Sequence, residues 1–362
     1  MYIKSIQLEG YRNYKNSTVY FDKGTNVLYG DNAQGKTNVL EAVFMCATTK
    51  SHKGAKDKEV IGFDEDEAHV TLYLEKSLSE YKIDMILRKD KSKIVAINGS
   101  KIRKATELLG LLNVVLFSPE DLSIIKNGPS ERRKFIDMEL CQLDGIYLYN
   151  LSKYNKIVDQ RNKLIKDSYM NREYIETLNI WDQQLVSYGS LIIEKRRKFI
   201  EELNEIIGEV HSKLTNGKEK LIVSYEPDVL EDEFEKKLKD NRDKDIKYKM
   251  TGTGPHRDDF SFVVNGVDIR KYGSQGQQRT AALSLKLSEI EIVKKVTGHV
   301  PVLLLDDVLS ELDSNRQNFL LKTIGDIQTI ITCTGLDDFV DNNFSIDKVI
   351  NVCNGTISWN KG

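Results

Sequence analysis

"VLYGDNAQGKTNVLEAV", residues 27 to 43, joins an apolar run to a glycine-bounded polar loop and then to a helix-like pattern. Gly30, Gly35, Lys36 and Thr37 fit G-x-x-x-x-G-K-[ST], a loop whose backbone N–H groups surround phosphate oxygens at a helix N-terminus. The expected ligand is a nucleoside triphosphate. Its phosphates would lie along Gly30, Asp31, Asn32, Ala33, Gln34, Gly35, Lys36, Thr37 and Asn38. Lys36 would reach the β- and γ-phosphates and the Thr37 hydroxyl would ligate Mg²⁺, while the glycines admit the phosphates without Cβ clashes. The same residues also suit a plain glycine-rich turn. The flanks, "TNVLYG" as a buried strand and "TNVLEAVFMCA" as the following helix, favour the phosphate loop.

Composition bounds the remainder. A chain of 362 residues is long for one core and suggests two lobes, and 40% hydrophobic with 30% charged residues describes a soluble globular protein. No apolar run reaches membrane-spanning length and "MYIKSIQLEGY" is not a signal peptide, so no membrane partner and a cytoplasmic location are the default expectations. Cys46, Cys141, Cys333 and Cys353 are far apart and lack zinc-ligand spacing. The net charge of −2 gives no global attraction to DNA, so nucleic-acid binding would need local basic patches.

Three regions follow. Residues 1–118 read as strands and turns, including "AHVTLYLEK", "EYKIDMILRKD" and the Asn98-Gly99 hairpin signal. Residues 119–240 carry apolar positions at three- and four-residue spacing and predict an inserted helical lobe, with Pro119 in a first turn after Ser118. Residues 241–362 return to strands in "DDFSFVVNGVDI", with its Asn265-Gly266 turn, and in "VPVLLLDD", "TIITCT" and "KVINVCNGTISW". The charge-dense "EDEFEKKLKDNRDKDIKYK" is mixed in sign and reads as a solvated helix face or linker.

Two more segments carry chemistry. "VPVLLLDDVLSELD", 300 to 313, is an apolar strand ending in two carboxylates at the edge where α/β sheets bind ligands. Asp306 would hold the metal with Thr37, and Asp307 would orient or deprotonate the attacking water; an ordinary helix cap is the alternative. In "KYGSQGQQRTAALSLKLSEIEIV", Ser274 and free backbone N–H groups converge on a second helix N-terminus, which serves either as a second anion surface or as a plain cap.

Together these elements resemble the ATP-binding-cassette ATPases, in which the P-loop of one subunit and the signature of another sandwich each ATP. Ser274, Gly276 and Gln277 match the Leu-Ser-Gly-Gly-Gln signature, and Gln275 replaces its first glycine. "SELD" resembles the D-loop, which implicates Asp313. Asp307 stands where the family carries a catalytic glutamate, and the switch histidine is missing, with Thr334 the nearest candidate.

"LEGYRNY", "FSPEDLSIIKNGPSERRKFID", "GTGPHRDD" and "GSQGQQRTAALSLKL", in this order, resemble the RecF family of bacterial DNA replication and repair proteins, related to Rad50 and SMC heads. The resemblance implies an α/β fold, an ABC-type P-loop ATPase head with an antiparallel β subdomain and an inserted α-helical lobe. It implies a weak, DNA-stimulated ATPase that binds ATP and Mg²⁺, forms an ATP-dependent homodimer on duplex and gapped DNA, and assists RecA loading with RecR and RecO. Slow hydrolysis would reset the dimer. Roughly 120 inserted residues allow helices of only ~50 Å at 1.5 Å per residue, which excludes a long coiled-coil arm.

Candidate DNA contacts are Lys50, Lys53 and Lys56 in "KSHKGAKDK" and the cluster Arg132, Arg133 and Lys134; a solvated charged surface is the alternative for each. His256 and Arg257 read as a tight turn or as contacts to a nucleotide or partner subunit. Two rival classes share the P-loop. A metabolic kinase would need no second-subunit signature, and a transporter ATPase subunit carries its signature much closer to the P-loop and docks on a membrane partner.

Overall fold

The computed structural model describes residues 1–167, 173–335 and 345–359. Its contacts divide the chain into two units, Met1–Asp121 with Glu289–Gly362, and Leu122–Ser288.

Period-two alternation builds the first sheet. β1 (Tyr2–Tyr11) and β2 (Tyr14–Tyr20) precede β3 (Thr25–Tyr29) and α1 (Lys36–Thr48); β4 (Glu67–Lys76), β5 (Ser79–Arg88), β6 (Ile94–Ile97), β7 (Ser100–Lys101) and β8 (Val114–Phe117) follow. Six of these strands pair antiparallel in the order β2-β1-β4-β5-β6-β7. Ile6, Leu8, Val70, Leu72, Ile83 and Met85 are buried, in the register Ile6↔Leu72 and Leu8↔Val70, so alternate positions supply the apolar face. Asn98 and Gly99 turn β6 into β7 with φ of 50° and 79°, the left-handed pair that a two-residue hairpin requires.

The second unit is mainly helical. α2 (Leu122–Lys126) and α3 (Pro129–Leu143) lead into α4 (Gly145–Asp167) and α5 (Glu173–Leu214). Arg196 Nε lies 3.2 Å from the Tyr147 hydroxyl, while further along α4 Arg161 reaches back along α5 to Asp182, so the two helices run antiparallel. α5 has 42 residues, about 63 Å at 1.5 Å per residue, and exceeds the length expected from the insertion.

Strand β9 (Leu221–Glu226) corrects the expectation of helix up to residue 240: Leu221 and Val223 are buried while Ile222 is 42% exposed, which is strand periodicity. After α6 (Phe234–Asp240) and α7 (Arg242–Tyr248), β10 (Asp259–Val264) pairs with β9 and with β11 (Val267–Asp268). This small antiparallel sheet draws residues 241–288 into the helical unit. The charge-dense stretch around residue 240 forms α6 and α7, anchored by buried Phe234 and Leu238 and by Asp245, which pairs with the fully buried Arg161 at 2.7 Å.

α8 (Ile269–Tyr272) and α9 (Gln275–Thr297) follow, and the division between units falls within α9. β12 (Val302–Asp306), α10 (Ser314–Ile324), β13 (Thr329–Cys333), β14 (Lys348–Cys353) and β15 (Thr356–Trp359) complete the second sheet of the first unit. Its order is β15-β14-β3-β13-β12-β8, parallel except for the β14–β15 hairpin. Every residue of β12 and β13 is buried, as continuous apolar runs in a parallel sheet demand. No described helix is long and apolar enough to cross a membrane.

Candidate functional site

The loop from Gly30 to Gly35 leaves β3 and enters α1 with three residues in left-handed backbone: Gly30 (φ 150°), Ala33 (64°) and Gly35 (114°). A Cβ on Gly30 would sit 2.3 Å from the Val352 carbonyl and one on Gly35 2.7 Å from Asn13 Nδ2, so both positions require glycine. Gly35 caps α1 without a side-chain hydrogen bond, and the first turn carries no acidic residue. No side chain caps these amides, and of them the Asn38 amide donates to the Gly35 carbonyl at 3.0 Å; an end without a side-chain cap is what an anion there needs. Lys36 Nζ donates to the carbonyls of Gly30 and Asp31 at 2.6 and 2.8 Å, arching over the loop.

The loop is braced on two sides. Tyr14 Oη donates to the Gly35 carbonyl at 3.0 Å, and Asn13 Nδ2 to the Gln34 carbonyl at 2.9 Å. From the β14–β15 turn, the Asn354 and Gly355 amides donate to Gln34 Oε1 and the Gln34 carbonyl at 2.7 and 3.1 Å. Asn38 Nδ2 donates to Asn13 Oδ1 at 2.9 Å. Below it on α1, the fully buried Glu41 accepts from Arg12 Nε and Nη2 at 2.8 and 2.7 Å, from Tyr11 Oη at 3.1 Å and from Ser51 Oγ at 2.5 Å. Burial pushes the Glu41 carboxyl up, but the bonds from Arg12 and Ser51 outweigh it and hold it below the usual carboxylate range. "LEGYRNY", read only as a family-like segment, is therefore the support of the P-loop. No local spacing in the sequence signalled this, because its partners Gln34, Gly35 and Glu41 lie 21 to 30 positions away.

Thr37 and Asp306 meet. Thr37 Oγ1 donates to Asp306 Oδ1 at 2.7 Å, although 269 positions separate them, because β3 and β12 both flank β13 in the parallel sheet. Thr332 Oγ1 donates to the same carboxylate oxygen at 2.8 Å and accepts from the Asp307 amide at 3.0 Å. Thr332 was not foreseen; it stands opposite Asp306 in register, a relation visible only once "TIITC" is paired with "VLLLD". Asp307 has φ 53°, in the left-handed region that a non-glycine residue rarely adopts. A hydroxyl and a carboxylate oxygen side by side suit a hard divalent cation that completes its shell from phosphate and water. Thr334 is exposed at the end of β13.

The other predicted residues are distributed as follows. In the second unit, Ser274 Oγ accepts from the Gln277 amide at 3.2 Å while Gln277 Oε1 accepts from the Ser274 amide at 3.0 Å, a reciprocal cap of α9. Gln277 Nε2 also donates to Glu219 at 2.9 Å. Gly276 is exposed, and a Cβ there would meet only Ser274 Oγ at 3.8 Å, so packing does not ask for a glycine. Asp313 caps α10 through the Arg316 amide at 3.0 Å. Lys50, Lys53 and Lys56 are exposed. Arg132, proposed as a DNA contact, is corrected by its surroundings: it is 1% exposed and forks onto Asp259 at 2.7 and 3.1 Å, so its charge is spent in the interior. Arg133 Nη1 donates to the Asp258 carbonyl at 2.6 Å. His256 forms part of a tight turn, with Nδ1 2.7 Å from the Tyr154 hydroxyl and Nε2 3.0 Å from the Thr251 carbonyl; burial pushes its pKa down to about 4.

The RecF/RecN/SMC N terminal domain family matches residues 2–357. A DNA replication and repair protein RecF of Agathobacter rectalis is 62% identical over 357 residues, covering 99% of both chains, and that of Lachnospira eligens is 58% identical over 359 residues with the same coverage. A solved structure of the recombination mediator protein RecF with ATP superimposes with a TM-score of 0.93 at 37% identity, covering 99% of this chain and 97% of that one. An Smc head domain from Pyrococcus furiosus shares the fold at a TM-score of 0.56 and 19% identity, covering 99% and 95%.

Proposed function

The chain belongs to the RecF family of DNA replication and repair proteins, and from that premise we propose that it is an ATP-driven switch that dimerises on duplex DNA near single-strand gaps and assists recombinase loading. The observation that carries the reading is the contact of Thr37 with Asp306 beneath an uncapped helix N-terminus. Amides of residues 31 to 38 and Lys36 bind the phosphates, and Thr37 and Asp306 hold Mg²⁺. The ion, when bound, neutralises charge on the phosphate oxygens.

Asp307 takes the general-base role, orienting water and accepting its proton, while Thr332 joins the Asp306 carboxylate to the Asp307 backbone amide. Gly276 supports assignment of "GSQGQ" to a partner subunit's nucleotide. A glycine near a helix start that no neighbour requires weakens the helix by up to ~1 kcal/mol relative to alanine, and close approach of a phosphate to its backbone accounts for it. Hydrolysis then separates the subunits and releases DNA. Duplex and gapped DNA, RecR, RecO and RecA are the proposed partners, the last three through the recombination pathway.

Mixed dimers test the shared site. Lys36→Ala and Ser274→Arg subunits, each inactive alone, should recover one working site when combined, because one contributes an intact P-loop and the other an intact signature. Mixed dimers that form and yet hydrolyse no ATP would show that each site is completed within one chain.

A further inference from the structure

In the second unit, the first two turns of α3 and the turn Pro255–Arg257 enclose a cavity of about 220 Å³. Its charged and hydroxyl-bearing walls are Ser130, Arg133, Lys134, Asp137, Tyr154 and Arg196. Arg196 and Asp137 neutralise one another at 2.8 Å, and Arg196 also pairs with Asp258 at 2.7 Å. Arg133 differs. Among the described residues it forms no ion pair; its one hydrogen bond goes from Nη1 to a neutral carbonyl, which leaves Nε and Nη2 as donors without protein acceptors. Burial and the nearby Arg196 push its guanidinium below the usual range, outweighing the upward pull of Asp258, Asp259 and Asp137, none of which pairs with it directly.

Ser130, Arg133 and Lys134 are spaced i, i+3, i+4, so a hydroxyl, a guanidinium and an ammonium share one face of α3. Lys134 is 56% exposed and only 4.0 Å from Glu131, loosely held. His256 adds no charge: its ring accepts from the Tyr154 hydroxyl and donates to the Thr251 carbonyl, and both nitrogens are thereby used.

We propose that this cavity is a phosphate-binding site that seats one backbone phosphate of DNA, with Arg133 as the forked donor and Ser130 and Lys134 beside it. Arginine's planar fork matches phosphate oxygens two at a time. The cavity is smaller than the ~300–1,000 Å³ pockets that engulf whole small-molecule ligands, yet has room for a phosphate and the sugar carbons on either side. The site rests on the DNA-binding reading above and gives it an address that the buried Arg132 cannot supply.

The test is binding of a fluorescent duplex to the full chain with ATP and Mg²⁺ over a range of KCl. Arg133→Gln is expected to weaken binding roughly tenfold and to reduce the slope of log K against log[salt] by about one, the counterion share of one phosphate contact. Arg133→Lys should keep the salt slope, because the charge is retained, but recover only part of the affinity, because the fork is lost. Ser130→Asp, at an exposed position that leaves packing intact, should match or exceed the loss. Wild-type protein that binds DNA while both Arg133→Gln and Ser130→Asp keep its affinity and slope overturns the site alone; wild-type protein that binds no DNA overturns the DNA reading and the site together. Inorganic phosphate, added at constant ionic strength, separates the sources: thermal stabilisation by phosphate that Arg133→Gln abolishes, with unchanged DNA binding, assigns the pocket to free phosphate and also overturns the proposal.

Discussion

Removing Arg12 should destabilise the protein from within the P-loop's own support. In Arg12→Ala, Glu41 stays fully buried and loses two charge-assisted hydrogen bonds of 2.7 and 2.8 Å, keeping only the hydroxyls of Tyr11 and Ser51. Breaking a buried ion pair from one side costs about 3–5 kcal/mol. Arg12 is itself 25% exposed and two hydroxyls still solvate the carboxylate, so the expected loss is at the low end, about 3 kcal/mol. Against a typical total of about 5–15 kcal/mol this is a large share.

The pH dependence follows from the sign of the Glu41 shift. In the parent chain its carboxyl is held below the usual range, so its stabilisation is present above the unfolded-state pKa and lost as pH falls through the folded one. Without Arg12, burial dominates and raises the pKa, so protonation relieves the penalty. Parent and variant should differ most near pH 7.5 and converge toward pH 4.5. Urea unfolding followed by far-ultraviolet circular dichroism at both pH values measures this, and Arg12→Ala with Glu41→Gln should recover part of the loss at pH 7.5. A loss under about 1 kcal/mol, or one independent of pH, would refute the buried-pair reasoning.

Two further outcomes are expected. Asp307→Asn should slow ATP hydrolysis by ~10²–10⁴-fold, the usual share of general-base catalysis, with nucleotide binding retained, because Asn tolerates the left-handed backbone at φ 53° and leaves Thr37 and Asp306 in contact; single-turnover kinetics at the parent rate would remove Asp307 from the role. Gly276→Ala should leave the melting temperature unchanged or slightly raised yet abolish ATP-dependent dimerisation, since within the chain the added methyl meets only Ser274 Oγ, at an ordinary contact distance of 3.8 Å, and would meet a phosphate across the subunit seam; intact dimerisation would place the signature away from nucleotide.

What the sequence disclosed was what local pattern can encode. The strand-loop-helix of residues 25 to 48, the apolar strand ending at Asp306 and the two Asn-Gly hairpins follow from periodicity and turn chemistry, and their elements lie where those patterns place them. The partners of these elements were not legible. Thr332 links the Asp306 carboxylate to the Asp307 amide only because β12 and β13 pair in register, and Arg12 reaches Glu41 across 29 positions. Arg132 shows the reverse limit: a basic triplet looks alike in sequence whether its members face solvent or Asp259. β9 was hidden by a similar ambiguity, a six-residue alternation inside a long helical stretch, whose role appears only with β10 beside it.

Whether ATP joins two chains on DNA is tested in one experiment by sedimentation velocity of the full chain. A monomer without nucleotide, a dimer with ATP and Mg²⁺, and co-sedimentation of that dimer with duplex DNA are expected, the last two absent in Lys36→Ala. A parent chain that remains monomeric at saturating ATP, or that binds duplex equally well as a nucleotide-free monomer, would contradict the expectation.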